Sequence, residues 1–274
     1  MEANAIEQAL LHRTALLLGD KAVKEISSKR VIIFGVGGVG SWCAESLVRT
    51  GIKHLTIVDS DCVCATNCNR QLMATSKTID RVKVEAMKER LLEINPNAEI
   101  VAVQRIYQAE EAESFHLEQY DYVIDAIDSL KDKAHLILHA TELSRKIKRG
   151  ELTGEGIAKR LTFFSSMGAA LRIDPTKIRV SEFWKVKNDS LARALRNRFK
   201  RNKQAPAMKF QCVYSEEPPM QNQGENRPLA TAAVSFQKAQ TNGSLSHITA
   251  IFGFTIAGLV IQDITKKEQV LDIK

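Results

Sequence analysis

Two apolar periods alternate along this chain. Residues 31–35, VIIFG, form a near-continuous apolar run, which suits a strand buried on both faces of a parallel sheet. Residues 41–50 then carry helical spacing, and Gly51 supplies a stop. The run HLTIV at 54–58 predicts the next strand. Ahead of this unit, 7–27 has helical periodicity through Leu10, Leu16, Leu17, Val23 and Ile26, and a break at Gly19 and Asp20 divides it into two short helices. An amphipathic helix is predicted over 79–95, with Val84, Met87 and Leu91 on its apolar side and Pro96 ending it. A strand at 99–103, a helix at 109–118, a strand at 120–127 and a helix at 131–145 follow, and 161–164 resumes as strand. Residues 185–203 read as an amphipathic helix through Leu191, Leu195 and Phe199, and 248–261 as a buried apolar helix. Strands alternating with helices predict an α/β fold: a Rossmann-like, mostly parallel sheet with helices on both faces, N-terminal helices and a C-terminal α+β extension.

Two stretches break the pattern. Residues 148–160 are polar, carry three glycines and occupy what should be a short helix-to-strand link, so they read as an exposed excursion, with an insertion as one origin for it. Residues 215–245 are rich in Pro, Gln, Asn, Gly and Ser and read as a mobile excursion.

Composition adds three constraints. A net charge of +7 favours an anionic partner. Five cysteines, an odd number without a secretory leader, suit reduced thiols and a cytoplasmic location. The spacing of Cys62, Cys64 and Cys68 is not a usual zinc pattern. The apolar helix at 248–261 is shorter than a spanning helix needs, so burial is the expectation and a membrane anchor the lesser alternative.

The candidate chemistry sits around 30–61. Gly35, Gly37 and Gly40 have GxGxxG spacing, with Gly38 as an extra glycine, and Asp59 ends the next strand 19 residues after Gly40. Glycines admit a phosphate to the backbone, the following helix N-terminus points N–H groups at it, and the acid accepts from a ribose hydroxyl. That motif alone does not choose between NAD, FAD and ATP. Lys83 sits in the first turn of a predicted helix, where a cation opposes the dipole unless it meets a phosphate. Asp125 and Asp128 fall at the carboxyl end of a predicted strand, where open parallel sheets bind ligands; Asp128 suits a helix cap, a magnesium ligand or both. Arg193, Arg196, Lys200 and Lys203 are placed on one face of the basic helix, a candidate contact to nucleic-acid phosphates.

With these residues in hand, the chain resembles the ubiquitin-activating-type adenylyltransferases. The matching features are GVGGVGS at the glycine turn, DSD at 59–61, NxxRQ at 67–71, Lys83 in KVEAM, INP at 94–96 and DAID at 125–128. The second half is similar to the branch that dehydrates threonylcarbamoyladenosine in tRNA, through SSMGA, DPT, the leucine-and-arginine helix, CVYSEE and TAIFGF. The resemblance implies one adenylation domain over 1–274, with a nucleotide-binding half at 1–145 and a tRNA-facing half at 146–274. It implies ATP and Mg²⁺, with Asp128 as the metal ligand. Asp59 and Asp61 would lie at the ribose, Asn67 and Gln71 would support the triphosphate with Ser129 nearby, and Arg70 and Lys83 would neutralise phosphates. Arg13 resembles the arginine that relatives donate across a homodimer. The expected activity is adenylation of the nucleoside carboxylate followed by ring closure; the alternative is activation of a ubiquitin-like carrier's C-terminal glycine. A sulfur-transfer protein is a further expected partner. The relatives' CxxC pairs are missing, and Cys212 is the lone cysteine of the second half, which favours ring closure over a thioester.

Overall fold

The computed structural model describes residues 3–225 and 242–271. Seven strands, β1 (Arg30–Phe34), β2 (His54–Val58), β3 (Glu99–Val103), β4 (Tyr122–Asp125), β5 (Thr162–Ser166), β6 (Ile178–Glu182) and β7 (Gln211–Ser215), form one sheet in the order β3-β2-β1-β4-β5-β7-β6. All neighbours are parallel except β6, which runs antiparallel to β7. The chain winds outward from β1 to β3, then returns to place β4 on the other side of β1. That reversal opens a crevice at the carboxyl ends of β1 and β4, where doubly wound sheets bind ligands.

Helices cover both faces. The helices are α1 (Ala3–Leu18), α2 (Asp20–Ser27), α3 (Gly40–Thr50), α4 (Lys83–Ile94), α5 (Leu130–Lys148), α6 (Ser190–Arg201) and α7 (Ser246–Leu271). One core packs Ile26, Leu47, Met87 and Phe252 of α2, α3, α4 and α7 against Ile33 and Ile57; the other packs Leu136, Ile137, Leu195 and Phe199 of α5 and α6 against Ile32 and Phe163. Burial on both faces is why β1 and β2 lack a polar alternation.

The predicted break between the first two helices lies at Gly19, whose φ of +84° ends α1. Three local expectations differ from the structure. The helix predicted from residue 79 starts at Lys83, because Asp80 adopts a left-handed φ of 67° and Val63 exchanges backbone bonds with Asp80 and Arg81. The helix predicted over 109–118 is two 3₁₀ turns, Ala109–Phe115 and Leu117–Gln119, separated at His116 with φ 48°. Strands β6 and β7 were absent from the predicted elements; β6 pairs on one side only and mixes half-buried and exposed positions. Residues 149–161 hold no regular element, as expected of an insertion. Of the excursion predicted at 215–245, residues 226–241 lie outside the described residues.

Helix α7 runs well beyond the predicted 248–261, so the expectation of too short a run is corrected: residues 246–266 are long and apolar enough to cross a membrane, yet half of that stretch is buried in the domain. Its Gly253 lets the helix lie directly on α3: a Cβ there would stand 2.5 Å from the Val39 carbonyl.

Candidate active site

The glycine turn between β1 and α3 is fixed by two close approaches. A Cβ on Gly40 would lie 1.8 Å from the Gly35 carbonyl oxygen, and one on Gly35, at φ +90°, 2.6 Å from the Ala126 carbonyl. Gly37 is different: a Cβ there would meet only Gln71 Nε2, at 3.9 Å. It keeps the turn's outer surface bare. Gly38 faces Thr249 of α7. Gly40→Ala should therefore prevent folding. Gly37→Ala should leave the melting temperature intact and raise KM for ATP about tenfold, a loss of about 1.4 kcal/mol; an unchanged KM would detach Gly37 from nucleotide binding.

Asp59 ties β2 to this turn. Its Oδ2 accepts from Val36 N at 2.7 Å and its Oδ1 from Asp61 N at 3.0 Å. Lys83, almost fully buried at the start of α4, places Nζ 2.8 Å from Asp61 Oδ2 and 3.8 Å from Asp59 Oδ1. Burial pushes the Asp59 carboxyl up, and Lys83 and the two amides pull the other way. The two acids flanking the lysine offset the dipole conflict that its first-turn position creates.

The 65–71 segment lines the adjacent wall. Asn67 Oδ1 accepts from Cys64 N and closes the 3₁₀ turn Ala65–Asn67, so its side chain shapes the loop. Arg70 Nη1 donates to Thr66 O and Asn69 Oδ1, and the Trp42 indole N–H holds the Arg70 carbonyl at 3.0 Å. Burial pulls the Arg70 pKa down, while the charge of nearby Asp128 opposes that. Gln71 is buried beside Gly37, and its Oε1 has no partner among the described residues.

Asp128 is exposed beyond the carboxyl end of β4. The loop carrying it is fastened from below. Buried Asp125 accepts from Ile127 N through Oδ1, and from Ser165 Oγ and Lys133 Nζ through Oδ2, at 2.7 and 2.8 Å. Lys133 is fully buried and also donates to the Ile127 carbonyl at 2.9 Å. Ser129 caps α5, its hydroxyl engaged with Asp132. Lys133 has no counterpart among the sequence-predicted site residues. A signal existed: it occupies the apolar stripe of α5 with Leu130, Ala134 and Ile137.

Thus Gly35, Gly37, Gly38, Gly40, Asp59, Asp61, Arg70, Gln71, Lys83 and Asp128 gather around one crevice. Arg13 does not join them. It is exposed on α1, two residues from Leu11, which packs against Gly51 at the far end of α3; that end is about 16 Å from the glycine turn at 1.5 Å per residue. Cys212 is fully buried, and burial pushes its thiol pKa well up, which makes it a poor nucleophile at neutral pH. On α6, Arg193 and Lys200 are exposed, and Lys203 just beyond its end is too, but Arg196 turns inward. Its Nη1 donates to the Phe183 and Val186 carbonyls, and its guanidinium stands over the Phe183 ring. The predicted four-cation face therefore loses Arg196, which the loop before α6 draws in to satisfy two carbonyls.

An adenylating site suits this donor set. A bare glycine and an exposed carboxylate beside an arginine border one crevice, an unpartnered amide oxygen of Gln71 is buried beside that glycine, and the hard oxygen donor of Asp128 fits Mg²⁺, which commonly takes only one or two carboxylates.

Comparison with known proteins agrees. The tRNA threonylcarbamoyladenosine dehydratase of Bacillus subtilis (strain 168) is 30% identical over 264 residues, covering 96% of this chain and 97% of that protein. The enzyme of the same name from Escherichia coli (strain K12) is 32% identical over 264 residues, with 93% and 92% covered. The crystal structure of the E. coli enzyme in complex with ATP superposes with a TM-score of 0.77 at 30% identity, covering 96% of each chain. The ThiF family model matches residues 11–272, nearly the whole length over which the crevice and its supports are built, and the chain belongs to the ThiF family.

Proposed function

We propose that this protein dehydrates threonylcarbamoyladenosine in tRNA, driven by ATP. The observation that carries the reading is the convergence of glycine turn, Asp59–Lys83 and Arg70–Asp128 on one crevice, in a chain that matches dehydratases end to end. A carboxylate oxygen of the nucleoside attacks the α-phosphorus of ATP, and the bond to pyrophosphate breaks. A nucleophile of the same nucleoside's carbamoyl group then attacks the activated acyl carbon. AMP leaves with the former carboxylate oxygen, and the ring closes. The attacking group is on the substrate, so no protein thiol is needed, in keeping with the burial of Cys212.

The protein's part is positioning and charge stabilisation. Gly37 to Gly40 present backbone N–H groups at the start of α3, where the helix dipole favours phosphate. Asp59 is placed to accept from the ribose. Lys83 and Arg70 flank the crevice as the cations that would offset charge on the phosphates, and Gln71, beside Gly37, would support the triphosphate. Asp128 would hold Mg²⁺, which would supply positive charge to offset that of the triphosphate. Arg13, remote from its own crevice, suits donation to a second copy of the chain, which makes a homodimer part of the proposal.

Exposed Arg193, Lys200 and Lys203 would contact tRNA phosphates. Reversing Arg193 and Lys200 to Glu should weaken tRNA binding about tenfold and flatten its salt dependence. Arg196→Ala should instead cost about 1–2 kcal/mol of stability by orphaning two carbonyls, with tRNA affinity unchanged. The whole reading is tested by mass spectrometry of tRNA nucleosides after incubation with protein and ATP. Loss of one water from threonylcarbamoyladenosine is expected; an unaltered nucleoside with ATP turned over elsewhere overturns it.

A further inference from the structure

The insertion between α5 and β5 separates two cavities of opposite sign. On one side, about 890 Å³ are lined by Glu113, Glu118, Glu142 and, from the insertion itself, Glu155, against one lysine, Lys146, and three histidines. On the other, about 620 Å³ are lined by Lys148, Lys159, Arg160, Lys209 and Lys266 with a single acid, Asp263. That acid is already engaged: Tyr122 Oη donates to it at 2.8 Å and Arg160 Nη2 at 3.1 Å. The four lysines are exposed and make no ion pair among the described residues. The floor includes Phe163 and Phe210, both buried and packed edge-to-face at 5.1 Å, so they shape the cleft and offer no ring face for a base. The cleft lies at the amino ends of β5 and β7, the edge opposite the adenylating crevice, about 17 Å away along five-residue strands.

We propose that this cleft is a second RNA contact, holding phosphodiesters of the tRNA outside the anticodon loop. The inference rests on the tRNA reading above. Lysines on flexible stems around a cleft with no unengaged acid give sequence-independent backbone binding. The acidic cavity across the insertion repels the same polyanion and fixes the side on which RNA lies. The insertion, which has no place in the adenylation chemistry, thereby acquires one in substrate binding.

The triple variant Lys148→Ala, Lys159→Ala, Lys209→Ala tests this. All three side chains are exposed, so its melting temperature should match the parent. Full-length tRNA should bind at least about tenfold more weakly at 0.1 M salt, and the slope of log K against log salt should fall by about 2–3, near 0.9 per lost phosphate contact. KM for ATP and turnover of a modified anticodon trinucleotide, too short to reach the cleft, should stay unchanged. Unchanged affinity and slope for full-length tRNA overturn the proposal. So does an equal loss of binding for the trinucleotide, which would reduce the effect to overall charge. Loss of binding to anionic vesicles with tRNA affinity intact also overturns it. If the parent binds tRNA in this salt-dependent way yet dehydrates no nucleoside, the dehydratase reading fails while the RNA cleft stands.

Discussion

Asp128→Ala is expected to lower ATP-dependent AMP release about 10³-fold while moving the melting temperature by no more than about 2 °C, the usual limit for an exposed substitution. The asymmetry follows from position. Asp128 is exposed beyond β4, so no packing is lost with it. Its charge faces Arg70 and the crevice. Removing it leaves Arg70 without a balancing carboxylate and, on the function proposed above, takes away the acid that would hold Mg²⁺. Asp128→Asn, equal in size, should be nearly as inactive, because an amide is a far weaker Mg²⁺ ligand than a carboxylate. Activity within about threefold of the parent would remove Asp128 from the chemistry and leave it a loop residue. AMP release by chromatography and a thermal melt read the two halves of this expectation separately.

Lys133→Met should act in the other direction, on stability first. It leaves Asp125 buried, charged and without its cation, which costs about 3–5 kcal/mol. For a chain of this size that lowers the melting temperature by about 10 °C. Activity should fall as well, because the Ile127 carbonyl loses its tether and Asp128 rides on that loop; misplacement by about 1 Å can cost about 10²-fold. Combining it with Asp125→Asn removes the stranded charge while an amide oxygen can still accept from Ile127 N. The double variant should regain most of the melting temperature and little of the activity. A single variant melting with the parent would show that the pair does not fasten the loop.

Much of the adenylating crevice was legible because it is built from local constraints. Gly35 and Gly40 are imposed by backbone contacts within or next to one turn, and Asp59 follows from the length of a helix and a strand, so linear spacing carries them. Lys83 stood out because its place in a first turn is unfavourable without an acid or a phosphate nearby. Arg196 was misread because helical periodicity places a Cα on a face but says nothing of where a long side chain ends. The carbonyls of Phe183 and Val186, 13 and 10 residues away, decide that.

The sequence by itself determined the order of β1 to β5 and of α1 to α7, the glycine turn, the acids at the strand tips and the breaks at Gly19 and Gly51. Each depends on residues close in the chain and on a conformation few side chains adopt. Only the tertiary structure decided that Asp125 and Lys133 lock the Asp128 loop, that Arg13 lies away from its own crevice, that β6 reverses onto β7, and that the 149–161 insertion divides an acidic cavity from a basic one. Those outcomes depend on which buried charges find partners and which backbone groups find a neighbouring strand. Such contacts join residues far apart in the chain, where no spacing rule reaches.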